Sequence, residues 1–249
     1  MERAALRADM VDGLMHESKA ALSNEAVADA MCTVPRHEFV VDERLAYADR
    51  DHVHLGTRVL SPRTVARLFE ALALDRGDSV LVVGVGVGYT AAIAAEMVGE
   101  TNVHAIDISR PLVYEARANL ERAGYGGVLV DCRDGAHGLP EYAPFDRILL
   151  EAAAVKPPQA LRSQLADGGV LVLPREGRTQ YIEAVTADGT VDRFGRVSFD
   201  PLLVNGEQTG TVERNRTARE DVEHARRYAE SRSGWEHGWI EWDETIGSR

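Results

Sequence analysis

Lysine is almost missing from this chain of 249 residues: only Lys19 and Lys156 are lysine, and the remainder of its 28 basic residues are arginine. Positive charge is short overall, because 40 Asp and Glu leave a formal net charge of −12. A protein that tracks nucleic-acid phosphates needs a basic face, so this balance argues against nucleic acid as a partner. Cysteine is scarce too. Cys32 and Cys132 cannot build a disulfide framework and lack metal-ligand spacing, so no metal site is expected. The first residues, Met1-Glu2-Arg3-Ala4-Ala5-Leu6-Arg7, lack the apolar core of a secretory signal, which points to a cytoplasmic protein with no membrane role. One nearly uncharged stretch, Val80 to Gly99, could pass for a membrane span. Gly84, Gly86 and Gly88 interrupt it and its flanks differ in period, so it reads as a buried strand, a glycine turn and a helix.

What is present is ordinary for a soluble globular chain: 45% hydrophobic and 27% charged residues, too apolar for disorder. The length allows one large α/β domain or two small ones. Arginine in place of lysine on a carboxylate-rich chain fits a protein kept soluble in concentrated salt, as in a halophilic archaeon. There the Debye length falls to about 3 Å at 1 M, and repulsion among carboxylates costs little. A GC-rich genome favouring arginine codons gives the same bias.

Residues from about 3 to 32 read as helical, with Ser23-Asn24-Glu25 capping a second short helix. Val34–Val40 reads as an ordered connection after the break at Pro35. Ser61-Pro62 is a helix start, a capping hydroxyl followed by proline at the first helical position. From Ser79 onward, short aliphatic strands (Ser79–Val83, Val103–Ile106, Gly127–Val130, Ile148–Leu150, Gly169–Leu173) alternate with helices (Thr90–Val98, Pro111–Ala123, Pro157–Ala166). That alternation specifies a doubly wound parallel sheet. Gln180–Thr186 and Thr190–Phe199, joined by Ala187-Asp188-Gly189, read as an antiparallel hairpin closing one edge. Residues 1–204 are expected to form one domain, with a helical part over 1–75 and a nucleotide-binding sheet over 76–204. Residues 205–249 form a polar extension carrying Trp235, Trp239 and Trp242, which either docks on its own domain or anchors a partner.

The sharpest local feature is Val80-Leu81-Val82-Val83-Gly84-Val85-Gly86-Val87-Gly88-Tyr89, a strand entering a glycine turn from which a helix departs. A second strand ends in Asp107, 19 residues after Gly88, where a carboxylate can accept hydrogen bonds from ribose hydroxyls. A dinucleotide site would show G-x-G-x-x-G and seat pyrophosphate on the helix N-terminus. Here the third glycine comes one residue early and the turn holds no basic residue, so a phosphate-free nucleoside such as S-adenosylmethionine suits it better. A third strand end, Cys132-Arg133-Asp134-Gly135, adds a carboxylate placed to meet an adenine amino group. The expected cofactor residues are thus Gly84, Val85, Gly86, Gly88, Asp107, Asp134 and Gly135.

Beyond these, Val34-Pro35-Arg36-His37-Glu38-Phe39-Val40 and the run Asp134-Gly135, Gly138-Leu139-Pro140, Ala143-Pro144-Phe145-Asp146 resemble the protein-L-isoaspartate O-methyltransferase family. Ala152-Ala153-Ala154, Gln164-Leu165, Gly168-Gly169 and Leu173-Pro174 continue in register, so the likeness spans roughly residues 10–204. It implies the class I S-adenosylmethionine-dependent methyltransferase fold, a Rossmann-like seven-stranded sheet with a reversed final hairpin. It also implies methyl transfer from S-adenosyl-L-methionine to the α-carboxylate of L-isoaspartyl residues in damaged proteins. A monomer acting on isoaspartyl proteins or peptides is expected. The alternatives are a same-fold methyltransferase with another carboxylate or small substrate, and a non-catalytic adaptor that binds damaged protein.

The site departs from the family pattern at several positions. The family hallmark G-Q-T-I-S-x-P is replaced by Gly56-Thr57-Arg58-Val59-Leu60-Ser61-Pro62, so Leu60 stands at the serine position. Either Ser61 shifts its hydroxyl into the site as the catalytic serine, or it only caps the following helix. Val82 stands where the family carries an acid, and Val85 and Val87 replace small polar residues. Glu151 replaces a small residue, which is expected to put a carboxylate at the site mouth or to leave a surface acid paired with Arg147. His52 and His54 read as exposed strand positions, His37 as structural, and His137 as a neighbour of the adenine loop.

Overall fold

A computed structural model describes residues 3–16 and 21–203. The N-terminal helical stretch divides into α1 (Arg3–Met15) and α2 (Glu25–Thr33). Asn24 opens α2 by accepting the Ala26 and Val27 N–H groups at 2.9 and 3.3 Å. A 3₁₀ turn over Arg36–Phe39 buries both end residues, so the ordered connection is a wedge of core. Next comes a small antiparallel hairpin, β1 (His52–His54) and β2 (Thr57–Val59). Its tip, Leu55-Gly56, has φ of 50° and 78°, the left-handed pair that a tight hairpin requires. The alternation along β1 is opposite to expectation: Val53 is 74% exposed, whereas His52 and His54 are half-buried, with His54 Nε2 3.2 Å from Glu115. Ser61 then caps α3 (Pro62–Leu72), and proline occupies its first turn as the sequence requires.

The remainder alternates as β3 (Val80–Val83), α4 (Tyr89–Val98), β4 (Val103–Asp107), α5 (Arg110–Ala123), β5 (Leu129–Cys132), β6 (Phe145–Leu150), α6 (Gln159–Arg162), β7 (Leu165–Arg175), β8 (Gln180–Thr186) and β9 (Val191–Val197). Seven strands form one mixed sheet in the order β5-β4-β3-β6-β7-β8-β9. Pairing is parallel from β5 through β7 and antiparallel for the last two ladders, which gives the reversed terminal hairpin. The chain starts in the middle and winds outward both ways, so the topological switch lies between β3 and β6. In open α/β sheets ligands bind in the crevice at that point.

Every residue of β3 is buried, Val80 and Val82 toward one core and Leu81 and Val83 toward the other. Each such side chain is worth roughly 1.5–3 kcal/mol of burial. Eight of the ten residues of α4 are buried as well, against the sheet on one side and α2 on the other. That double burial explains why Val80–Gly99 is so apolar, and among the described residues no helix is long and apolar enough to cross a membrane. Two boundaries differ from the sequence reading. The strand expected at Gly127–Val130 begins at Leu129, because Glu100 accepts the Gly127 N–H at 2.6 Å and holds it in the turn. The helix expected over Pro157–Ala166 shrinks to Gln159–Arg162, because Leu165 already pairs with Phe145 and starts β7. Residues 205–249, with Trp235, Trp239 and Trp242, lie outside the described residues, as does Lys19.

Candidate active site

A cavity of about 340 Å³ opens at the C-terminal ends of β3, β4 and β6, within the size range of small-molecule sites. Its floor is the glycine turn. Gly84 and Gly86 have φ of 82° and 55°, and neither would bring a Cβ closer than 3.7 Å to a neighbour, so only backbone conformation demands glycine there. Gly88 is different: it caps α4 outside the lining, and a Cβ would press on Leu120 and Ala116 of α5 at 3.2 and 3.3 Å. It sets helix packing rather than ligand approach.

Asp107 lines the cavity at the end of β4. Its carboxylate accepts the Gly86 N–H at 3.0 Å and the Ser109 N–H at 2.8 Å. Burial pushes its pKa up, and these amides pull the other way. The side chain thus locks the glycine turn at the edge of the cavity. Gly135 also lines it, and a Cβ there would lie 2.6 Å from Val83, so no larger residue fits. Asp134 stands beside the lining rather than in it: Oδ1 accepts the Ala136 N–H at 2.9 Å and Oδ2 lies 3.6 Å from the exposed His137. Val85 lines the cavity between the two open glycines.

The opposite wall carries the replaced hallmark. Leu60 faces the cavity, whereas Ser61 does not: its Oγ accepts the Thr64 N–H at 3.3 Å and its own N–H donates to Asp51 at 2.7 Å. The structure therefore places Ser61 as the cap of α3, and the hydroxyl at the hallmark position is replaced by an aliphatic wall. Arg36, from the first signature segment, is fully buried and donates to Ala46 O at 2.8 Å and Leu60 O at 2.6 Å, with its guanidinium over Tyr89 at 4.6 Å. It fastens the substituted loop to α4. His37 is tied to the Tyr47 hydroxyl at 2.7 Å, a structural contact.

Glu151 follows β6 and faces the cavity, neither at the surface nor paired with Arg147. Arg147 instead donates to Leu72 O at 3.0 Å. The Glu151 carboxylate accepts the Thr90 hydroxyl, and burial, against that hydrogen bond and with Asp107 nearby, pushes its pKa up to about 8. The first of the two expectations for Glu151, a carboxylate at the site, is the one that holds, and sequence reasoning missed two parts of the site. Arg58 is the one cationic residue lining the cavity among the described residues, held 3.5 Å from Asp51 and from Asp200 and donating to Ser198 O at 2.7 Å. The segment Phe199–Leu203 closes the far side, anchored where Leu202 N–H donates to Ala153 O at 2.8 Å. Arg58 was visible as a departure inside the hallmark; the return of Phe199–Leu203 has no local signal.

Open glycine backbone, a buried acid at the end of the neighbouring strand and a turn without cations fit a phosphate-free nucleoside that carries its own positive charge. With the sheet order, these features define a class I S-adenosylmethionine-dependent methyltransferase. Residues 8–205 match the protein-L-isoaspartate(D-aspartate) O-methyltransferase family. A protein-L-isoaspartate O-methyltransferase of Ignicoccus hospitalis is 42% identical over 191 residues, covering 73% of this chain and 90% of that protein. A solved protein-L-isoaspartate O-methyltransferase superposes with a TM-score of 0.70 at 26% identity, covering 82% of this chain and 67% of that one. A Plasmodium falciparum structure described by the same activity, in complex with S-adenosyl-L-homocysteine, shares the fold with a TM-score of 0.71 at 22% identity, covering 79% of this chain and 98% of that one. The chain belongs to the protein-L-isoaspartate(D-aspartate) O-methyltransferase family.

Proposed function

We propose that this protein transfers the methyl group of S-adenosyl-L-methionine to the α-carboxylate of L-isoaspartyl residues in damaged proteins. The observation that carries this reading is that one cavity is lined by both the glycine turn with Asp107 and the loop Gly56–Leu60 of the signature region. Cofactor and substrate ends of the reaction therefore share one space.

The chemistry asks little of acid–base groups. A substrate carboxylate is already ionised at pH 7, so no general base is required. When bound, the cofactor supplies a methyl activated by its sulfonium. The chain's own work is orientation and partial desolvation, which can contribute several kcal/mol. Gly84, Gly86 and Asp107 hold the nucleoside end, and Gly135 allows the cofactor to approach the end of β3. Arg58 offers the attractive charge that an anionic substrate needs in a cavity otherwise lined by Asp107, Glu151 and Asp200. Leu60 and Phe199 keep water from the reacting groups.

The acid-rich, lysine-poor composition supports activity in a saline cytoplasm, where screening lets an acidic surface admit an anionic peptide. Labelled-methyl transfer in molar salt, comparing an isoaspartyl peptide with its aspartyl twin, tests the reading. A base-labile methyl ester on the isoaspartyl peptide alone is expected. Cofactor binding without transfer to that peptide would overturn the substrate assignment in favour of another nucleophile.

A further inference from the structure

Strand β3 carries no polar group into the cavity, since Val82 and Val83 are both buried in the cores on either side of the sheet. Its neighbour β6 does. Val83 pairs with Leu150, and the Glu151 N–H donates to Val83 O at 2.8 Å, so Glu151 leaves β6 level with Gly84. A Cβ on Gly84 would lie 3.7 Å from the Glu151 Cβ. The carboxylate is thereby set over the first glycine of the turn.

Its surroundings leave a charge to be answered. The groups facing it are the Thr90 hydroxyl from α4 and the Asp107 carboxylate from the end of β4; Arg58 and Asp200 are the other charged residues of the lining. Among the described residues no arginine, lysine or histidine forms an ion pair with Glu151, while Arg58 is engaged by Asp51 and Asp200. A carboxylate partly withdrawn from water without a counter-charge is unfavourable unless it takes up a proton or a ligand brings a cation. A ligand cation with N–H donors answers both the charge and the unused acceptor sites of the carboxylate.

We propose that Glu151 holds the α-ammonium of the methionyl end of the cofactor, so that the acid serving this cavity beside the glycine turn comes from β6 rather than β3. This rests on the cofactor reading above. Of the two positive centres in S-adenosylmethionine, the ammonium can donate hydrogen bonds and the sulfonium cannot. The ammonium is also retained in S-adenosyl-L-homocysteine, so a contact with it does not weaken as the methyl leaves. The proton balance follows. In the free protein below about pH 8 the carboxyl carries a proton. Binding exchanges the neutral acid for a carboxylate–ammonium pair and releases one proton to solvent.

Calorimetry of the full chain with S-adenosyl-L-homocysteine and with its analogue lacking the α-amino group tests this, using buffers of different ionisation enthalpy. At about pH 6.5, well below the Glu151 value, the natural ligand is expected to release close to one proton and the analogue none. The analogue should also bind about 10- to 100-fold more weakly, the worth of one charge-assisted hydrogen bond. Glu151→Gln should remove both the proton release and the preference while leaving adenosine binding unchanged. Should Glu151→Gln fail to fold, the two wild-type titrations decide alone. Equal affinity for the two ligands, or binding without proton release, would overturn the role of Glu151 while leaving the cofactor reading intact. Failure of the wild type to bind S-adenosyl-L-homocysteine at all would instead overturn the cofactor reading.

Discussion

The two walls of the cavity are built on different terms. On the nucleoside wall, Gly84, Gly86, Asp107 and Gly135 are fixed by backbone: positive φ, amide donors at 3.0 and 2.8 Å, and a 2.6 Å limit on any Cβ. On the opposite wall, Arg58 and Leu60 meet the cavity through their side chains, in the segment that replaces the hallmark. Positions tied to main-chain geometry cannot change without unravelling the turn. Positions that only project can be exchanged, and this chain has exchanged them.

Substitutions can break that contrast, and the largest effect is expected where a signature residue supports both walls. Arg36→Met leaves the Ala46 and Leu60 carbonyls without donors in a buried site. It should lower the unfolding free energy by roughly 2–4 kcal/mol in denaturant titrations. Next comes Asp107→Ala, which should weaken cofactor affinity by roughly 1.5–3 kcal/mol in calorimetry with little change in KM for peptide. Unchanged affinity would remove Asp107 from the nucleoside wall.

Arg58→Gln should act on the other wall alone. KM for an isoaspartyl peptide rises about tenfold, or roughly 1.4 kcal/mol, while cofactor Kd holds. A shift in cofactor Kd instead would merge the two walls. Ser61→Ala should cost about 1 kcal/mol of stability through the lost cap of α3, with kcat unchanged. A fall in kcat would return Ser61 to the chemistry. The smallest and most pointed change is Leu60→Ser, which restores a hydroxyl at the hallmark position. Single-turnover rates should rise, and an unchanged or lower rate would show that the aliphatic wall already does the positioning.

The same division governs what could be read from the sequence. The order of β3 to β9, the glycine turn and the Ser61 cap were legible because periodicity and local backbone preferences decide them. The signature residues were legible as a pattern, but their task was not. Gln164 accepts the Leu139 N–H at 2.8 Å and donates to His137 O at 2.8 Å, and Asp146 accepts the Ser79 N–H at 2.8 Å. Those are scaffold bonds between distant segments. Glu151 was left open between site mouth and surface, and Arg58 was passed over, for a related reason. Whether a charged side chain faces bulk water or a cavity depends on a neighbouring strand, here β3 for Glu151 and the segment Phe199–Leu203 for Arg58. The reversed alternation of His52, Val53 and His54 has that origin too, since α5 supplies Glu115 to His54 from far along the chain.

The measurement that bears most directly on the division into a nucleoside wall fixed by backbone and a substrate wall built from side chains is a crystal structure with S-adenosyl-L-homocysteine and an isoaspartyl peptide bound. The nucleoside is expected against Gly84, Gly86 and Asp107, and the peptide carboxylate at Arg58 beside Leu60. A peptide seated away from Arg58, with that guanidinium still held by Asp51 and Asp200, would contradict it.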